Sequence, residues 1–370
     1  MMVFKWLSWV LLVAGCGTIQ EFGEVDGSPA ARPEAPPPLD RAFDAKIEAI
    51  RQRHGVAAIS IGVLRGGKLA QAGGAGQADP DAGIAARADT LYSLASVSKI
   101  VVGVAIARAM ELGYDLDLDR DVNTWLRWSR PLRHPRHPGT PITLRHLVRH
   151  QAGIASDGPA DIDDYPRPDP RQSLDAFLQG LLAQSAYWED FAPGQGEEYS
   201  NLGASLAALV VQKAVGQPFE VFCNREIFGP LGMTDSRWFY RELGSSQRGR
   251  LAMPLDEDGE PYGHYGFEDW PSGQLRSTVA DMAKLLEALI GDGSRGGVRL
   301  LSAARVRQFQ EVPLFIEADA PSFEHSGGEA GVNTFVRYNE SGNGLILLTN
   351  QDMDDDVFEA VITEAEALAR

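Results

Sequence analysis

Three short groups of residues carry chemistry. The first is Ser96-Val97-Ser98-Lys99, which opens an apolar stretch. Serine and lysine at i and i+3 lie on one face of a helix, one above the other. The lysine amine then reaches the serine hydroxyl. A buried amine is pushed toward its neutral form, in which it accepts a proton. Free N–H groups and the helix dipole at a first turn favour a developing oxyanion. That is a recipe for an activated serine nucleophile. Alone the pattern is common, because a serine N-cap followed by a solvated lysine has the same spelling. The second group is Tyr199-Ser200-Asn201, after the turn Pro193-Gly194-Gln195-Gly196. A phenol near Lys99 could shuttle a proton, and an amide two residues on could orient it. The third is His325-Ser326-Gly327-Gly328, just before a late hairpin. Glycine there lets a substrate approach the backbone, and its N–H can donate to an oxyanion.

The elements that must hold these groups follow from periodicity. Phe43, Ile47 and Ile50 recur at helical spacing, so a first helix ends near Gly55. Ala57 to Leu64 reads as a strand, Arg65-Gly66-Gly67 as a turn, and Lys68 to Gly73 as a returning strand. Ser96 to Leu112 is apolar almost all round, as expected of a helix buried mid-domain. Leu202, Leu206 and Leu209 mark another helix, ending at Gly216, and Met282, Leu285, Leu286 and Leu289 a further one, stopped at Gly291. Val332 to Tyr338 alternates, Ser341 to Gly344 turns, and Leu345 to Leu348 is continuously apolar, as in a strand covered on both faces. Asp354 onward reads as a helix. Strands therefore sit at both ends with helices between. This is an α/β (α+β) protein: one antiparallel sheet built from both chain ends, flanked by helices, with a largely helical inserted domain. The corresponding boundaries are 40–120 and 271–370 for the sheet domain and 121–270 for the mainly helical domain.

At this point the chain resembles the serine β-lactamase and penicillin-binding-protein superfamily, in its class C β-lactamase-like branch of esterases and D-amino-acid peptidases. The resemblance extends beyond the three groups. It takes in Leu116-Asp117-Leu118-Asp119, the segment Ile142 to Ile154 ending His150-Gln151-Ala152-Gly153-Ile154, Pro230-Leu231-Gly232-Met233, Ser277-Thr278 and Thr349-Asn350, in order over about 40 to 360. It implies that Ser96 is the acylated nucleophile, Lys99 its proton partner, and Tyr199 the general base and acid. Asn201 would orient substrate and Lys99, and the backbone N–H groups of Ser96 and Gly328 would form the oxyanion hole. His325 and Gly327 would face substrate, in a cleft between the two parts of the fold. The resemblance implies no cofactor. One departure matters: true β-lactamases begin the third group with lysine, and here the position holds His325. A fixed ammonium attracts a substrate carboxylate. An imidazole of ordinary pKa, about 6.5, is mostly neutral at pH 7 and charges as pH falls. The expected substrate is a small molecule or peptide with an ester or amide bond and no required carboxylate. The alternatives are a D-alanyl-D-alanine carboxypeptidase or D-aminopeptidase, a weak β-lactamase, or a catalytically silent envelope binding protein of the same fold.

Composition sets outer bounds. The chain has 370 residues, 44% of them hydrophobic and 23% charged, enough to bury a sizeable core. With 34 basic and 51 acidic residues the net charge is −17, which disfavours nucleic-acid partners. Two cysteines, Cys16 and Cys223, exclude a disulfide scaffold or a cysteine-rich metal site. Lys5 and the apolar run Trp6 to Ala14 have the length of a signal-peptide core. The run ends Leu12-Val13-Ala14-Gly15-Cys16, which resembles a bacterial lipobox. Residues 1–15 then read as a lipoprotein signal peptide and 16–39, with Pro36-Pro37-Pro38, as a tether. Lipid on Cys16 would anchor the protein to a membrane of the bacterial cell envelope, the outer one favoured by Gly17. Cys223 is then a small buried apolar residue. His146 and His150, at i and i+4, have a spacing that could ligate a metal on a helix. However, no nearby Glu completes a His-Glu-x-x-His pattern, and His150 already matches a position of the resembled family. They, His134 with His137, and the loop carboxylates Asp161, Asp163, Asp164 and Asp169, which lack a calcium-loop pattern, read as structural.

Overall fold

The computed structural model describes residues 40–155, 167–319 and 322–369. Helix α1 (Arg41–His54) begins where the Asp40 carboxylate accepts from the N–H groups of Ala42 and Phe43, and ends at Gly55 with φ 70°. Strands β1 (Ala58–Arg65) and β2 (Lys68–Asp79) form the expected hairpin, with both Gly66 and Gly67 at positive φ in its turn. The return strand runs past Gly73. Gly73 and Gly74 admit the neighbouring backbone and α1: a Cβ on Gly73 would lie 2.2 Å from Asp44 Oδ1. A short β3 (Ile84–Ala85) extends this edge.

The chain returns to the sheet through β4 (Glu317–Asp319), β5 (Ser322–Glu329), β6 (Val332–Asn339) and β7 (Gly344–Thr349). The sheet order is β3-β2-β1-β7-β6-β5-β4, antiparallel throughout. The two chain ends meet at β1 and β7, where Ile61 pairs with Leu347. Alternate residues of β7 go to opposite cores. Leu345 and Leu347 pack with α1 and the last helix, α5 (Asp355–Ala369), through Ile47, Phe358 and Val361. Ile346 and Leu348 join the larger core on the other face. Burial on both faces is why the run carries no polar alternation.

That larger core contains α2 (Ser98–Glu111), α3 (Asn201–Val215) and α4 (Val279–Ile290). Ile100 to Ala107 are all buried, so α2 has no solvent face over two turns. No helix among the described residues is long and apolar enough to cross a membrane.

The segment His325 to Gly328 precedes the β6–β7 hairpin, as the sequence predicts, and is itself part of strand β5. Gly327 and Gly328 are poor strand formers on their own, and pairing with Thr334 and Asn333 holds them extended.

Candidate active site

Ser96 sits in a 3-10 turn (Ala95–Val97) that feeds α2, two residues before the first residue of the α-helix. Ala95 has φ 45°, a backbone position that costs a non-glycine residue on the order of 1 kcal/mol. Two neighbours pin the turn. Thr334 Oγ1 donates to Leu94 O at 2.7 Å, and Leu94 N donates to Leu275 O at 2.8 Å. Leu275 N in turn donates to Ser98 Oγ at 3.2 Å.

Lys99, in the first turn of α2, is wholly buried. Its Nζ donates to Ser96 Oγ at 2.9 Å and to the Ser272 carbonyl at 2.7 Å. Burial pushes its pKa down to about 7, against the opposing pull of the Glu329 and Asp269 carboxylates. Lys99 is thus poised between ammonium and amine near neutral pH.

Tyr199 approaches from the opposite side and is 38% exposed. Its hydroxyl donates to Ser96 Oγ at 2.8 Å. It immediately precedes α3, whose N-cap is Ser200: Gly203 N donates to Ser200 Oγ at 2.9 Å, and that hydroxyl donates to Ala155 O at 2.9 Å. Ser200 N donates to His150 Nδ1 at 3.0 Å. The His150 ring stacks on Tyr199 with centroids 4.5 Å apart and an interplanar angle of 28°. Phe315 meets the other imidazole edge at 5.4 Å. His150 and Phe315 both have φ 55°, so three of the four non-glycine residues at positive φ among the described residues cluster at this site.

Strand β5 closes the site. A Cβ on Gly327 would lie 2.9 Å from Ser96 N and 2.8 Å from Leu94 O, so only glycine lets the strand come this close to the nucleophile turn. Gly328 follows, exposed, with Asn333 Oδ1 at 4.0 Å from where a Cβ would stand. A cleft of about 500 Å³ opens beyond Tyr199, walled by Val148, His150, Phe315, Ile316 and His325.

A buried lysine and a phenol converging on one serine at the start of a buried helix, under a glycine-bearing strand, is an acyl-transfer geometry. The Beta-lactamase family profile matches residues 43–369. The chain belongs to the beta-lactamase family. Within it, the chain is 34% identical over 240 residues to Esterase EstB of Burkholderia gladioli, covering 60% of this chain and 55% of that protein. It is 26% identical over 310 residues to Penicillin-binding protein 4* of Bacillus subtilis, covering 76% and 65%. The chain therefore spans between half and two thirds of the length of these curated relatives. Among solved structures it superposes on the octameric penicillin-binding protein homologue of Pyrococcus abyssi with TM-score 0.71 and 23% identity, over 90% of this chain and 78% of that one. For the D-amino acid amidase of Ochrobactrum anthropi SV3 the TM-score is 0.70 at 20% identity, over 89% and 99%. These two likenesses speak to the fold.

The other residues expected at the site lie near these groups. His325 is 5% exposed on the face of β5 toward Lys99, and its Nδ1 donates to Ser326 O at 2.6 Å. Burial, then the nearby Lys99, push its pKa down to about 4. The expectation of an imidazole with an ordinary pKa is corrected by that burial: His325 is neutral throughout the physiological range. Asn201 opens α3, and its Oδ1 is buried with no hydrogen-bond partner among the described residues. The described partners of Lys99 Nζ are Ser96 and Ser272 rather than Asn201. The Ser272 carbonyl was not foreseen, and no local pattern in Trp270-Pro271-Ser272 announces it.

Elsewhere, both ring nitrogens of His134 meet the backbone, at Glu189 O and Arg136 N. His146 Nδ1 accepts from Thr143 N in a capping box. Asp169 accepts from the N–H groups of Tyr240 and Arg241. Among the described residues no cluster of three or more His, Cys, Asp or Glu is placed to hold a metal ion. Cys223 is buried, which pushes its thiol pKa up. Cys16 and the carboxylates Asp161, Asp163 and Asp164 lie outside the described residues.

Proposed function

We propose that this protein is a serine hydrolase that cleaves an ester or amide through an acyl-enzyme on Ser96. The observation that carries the proposal is the convergence of Lys99 Nζ and Tyr199 Oη on Ser96 Oγ, at 2.9 and 2.8 Å. Ser96 Oγ attacks the substrate carbonyl carbon. Its proton passes to Lys99, which burial shifts toward the amine form that can accept it. The negative charge moves to the carbonyl oxygen, which the N–H groups of Ser96 and Gly328 receive. Collapse breaks the bond to the leaving group, which takes its proton from Tyr199. Lys99, whose Nζ lies 4.9 Å from the Tyr199 ring centroid, returns a proton to Tyr199 directly or through water, since the acylated Oγ has none to relay. Water then attacks the acyl carbon, with the Lys99–Tyr199 pair removing its proton, and the Ser96 alkoxide leaves and is reprotonated.

The neutral His325 favours an ester or amide without a required carboxylate. The envelope location rests on the Leu12-Val13-Ala14-Gly15-Cys16 segment and is read from sequence. Mass spectrometry of the mature N-terminus tests it: lipid on Cys16 is the expected result, and an unmodified start downstream of Cys16 overturns it.

The hydrolase reading is tested by labelling with an alkyl fluorophosphonate and by turnover of a short-chain nitrophenyl ester, a D-alanyl amide and nitrocefin. Wild type should label at Ser96 and hydrolyse the ester. A folded Ser96→Ala protein should do neither. An unlabelled wild type indicates a silent binding protein, and preferred cleavage of the D-alanyl amide indicates a peptidase.

A further inference from the structure

Two imidazoles line the cleft beyond Tyr199, and their hydrogen bonds leave them with opposite polarity. His150 Nδ1 accepts from Ser200 N, a group that can only donate. That nitrogen is therefore unprotonated, and the ring carries its hydrogen on Nε2. His325 Nδ1 lies 2.6 Å from Ser326 O, a group that can only accept. That nitrogen therefore carries the hydrogen, and in the neutral ring Nε2 is a bare lone pair. Burial keeps both rings neutral, with pKa values of about 3 for His150 and about 4 for His325. Among the described residues neither Nε2 has a hydrogen-bond partner, although His325 is 5% exposed and both rings line the cleft. With no protein partner among these residues, each Nε2 is left to a ligand or water in the cleft.

The hydrolase reading above sets which part of the substrate lies here. Tyr199 protonates the leaving group, and this cleft opens on the Tyr199 side. We infer that the cleft is the leaving-group pocket, and that it selects an uncharged leaving group bearing a carboxamide-like pair: a donor for His325 Nε2 and an acceptor for His150 Nε2–H. Val148, Phe315 and Ile316 supply an apolar wall for the body of that group. A carboxylate offers two acceptors and no donor, so it meets the His325 lone pair with repulsion. The two charged side chains at the mouth, Arg149 and Glu197, are exposed. Arg149 is the group that would reverse this selectivity if it bound a carboxylate.

The test compares butyrate esters of para-hydroxybenzamide and para-hydroxybenzoate, each normalised to its rate with hydroxide. In wild type kcat/KM should favour the carboxamide by about tenfold, the scale of one well-made hydrogen bond in a buried site. His325→Phe should bring the ratio to within about twofold of unity, and His325→Lys should invert it, since a fixed cation attracts the carboxylate. A measurement on wild type needs no variant: free para-hydroxybenzamide should slow fluorophosphonate labelling of Ser96 at lower concentration than para-hydroxybenzoate does. Equal or better turnover of the carboxylate ester, or a tenfold ratio that survives in His325→Phe, overturns the inference. If wild type neither labels nor turns over either ester, the hydrolase reading fails instead.

Discussion

The two flanks of Ser96 Oγ differ in their solvation. On one side Lys99 is fully buried, held by the Ser272 carbonyl and set in a helix without a solvent face. On the other Tyr199 is 38% exposed, beside an open cleft, and rests on His150 in strained backbone. Both flanks make a hydrogen bond of nearly the same length to the same oxygen. Distance therefore does not distinguish their roles. Burial lowers the affinity of Lys99 for its proton, which suits a group that must accept one. Exposure lets Tyr199 meet a leaving group and solvent, which suits a group that must give one up. The dry flank tunes a proton affinity, and the wet flank admits chemistry.

Breaking the dry flank should have the largest effect. Lys99→Met keeps the buried volume and removes the amine, so kcat should fall by about ten-thousand-fold, the upper range for a general base. The same change has a thermodynamic signature. The folded pKa of Lys99, about 7, lies below its unfolded value of 10.5. Between those values the unfolded chain binds more protons, so wild-type stability rises with pH. The variant lacks this contribution. The melting temperature of Lys99→Met relative to wild type should therefore decline steadily from pH 7 to pH 10, and a difference independent of pH would show that Lys99 is not held with a lowered pKa.

A smaller loss is expected where the two flanks meet β5. Gly327→Ala places a methyl 2.9 Å from Ser96 N and 2.5 Å from Thr334 Oγ1. The strand must retreat from the nucleophile turn, and kcat should fall by about a hundredfold through the oxyanion contacts. Since Thr334 also holds Leu94, fluorophosphonate labelling should slow in parallel. Unchanged labelling kinetics would separate β5 from the oxyanion site.

The wet flank should respond according to the substrate. Tyr199→Phe keeps the stack on His150 and removes the hydroxyl. Its effect should be about a hundredfold for an alkyl ester, whose leaving group needs a proton, and nearer tenfold for a nitrophenyl ester, whose leaving group departs unprotonated. Equal losses for both would remove Tyr199 from the leaving-group step.

The mildest perturbation is pH. For the nitrophenyl ester kcat/KM should rise with pH and level above about 7, as Lys99 loses its proton. The selectivity between neutral and carboxylate leaving groups should stay flat from pH 5.5 to 8, because His150 and His325 titrate at about 3 and about 4. A selectivity that climbs toward the carboxylate below pH 7 would mean that His325 titrates as a solvated imidazole.

What was legible in the sequence is what local rules govern. The Ser96–Lys99 spacing brings amine to hydroxyl because i and i+3 share a helix face, and the contact is made at 2.9 Å. Gly55 and Gly216 stop their helices at φ 70° and 72°, where a side chain would be strained. The unbroken run Leu345 to Leu348 announced a strand covered on both sides, and those residues enter two different cores. Tertiary structure decided what depends on distant neighbours. It made a strand of the glycine pair at 327 and 328 by pairing it with β6. It brought the Ser272 carbonyl, 173 residues away in sequence, to Lys99. It buried His325 among groups that no periodicity places there, and so changed its proton affinity. Hydrogen-bonded turns and helix faces depend on a few consecutive residues. Desolvation depends on everything packed around a group, and only the folded chain specifies that.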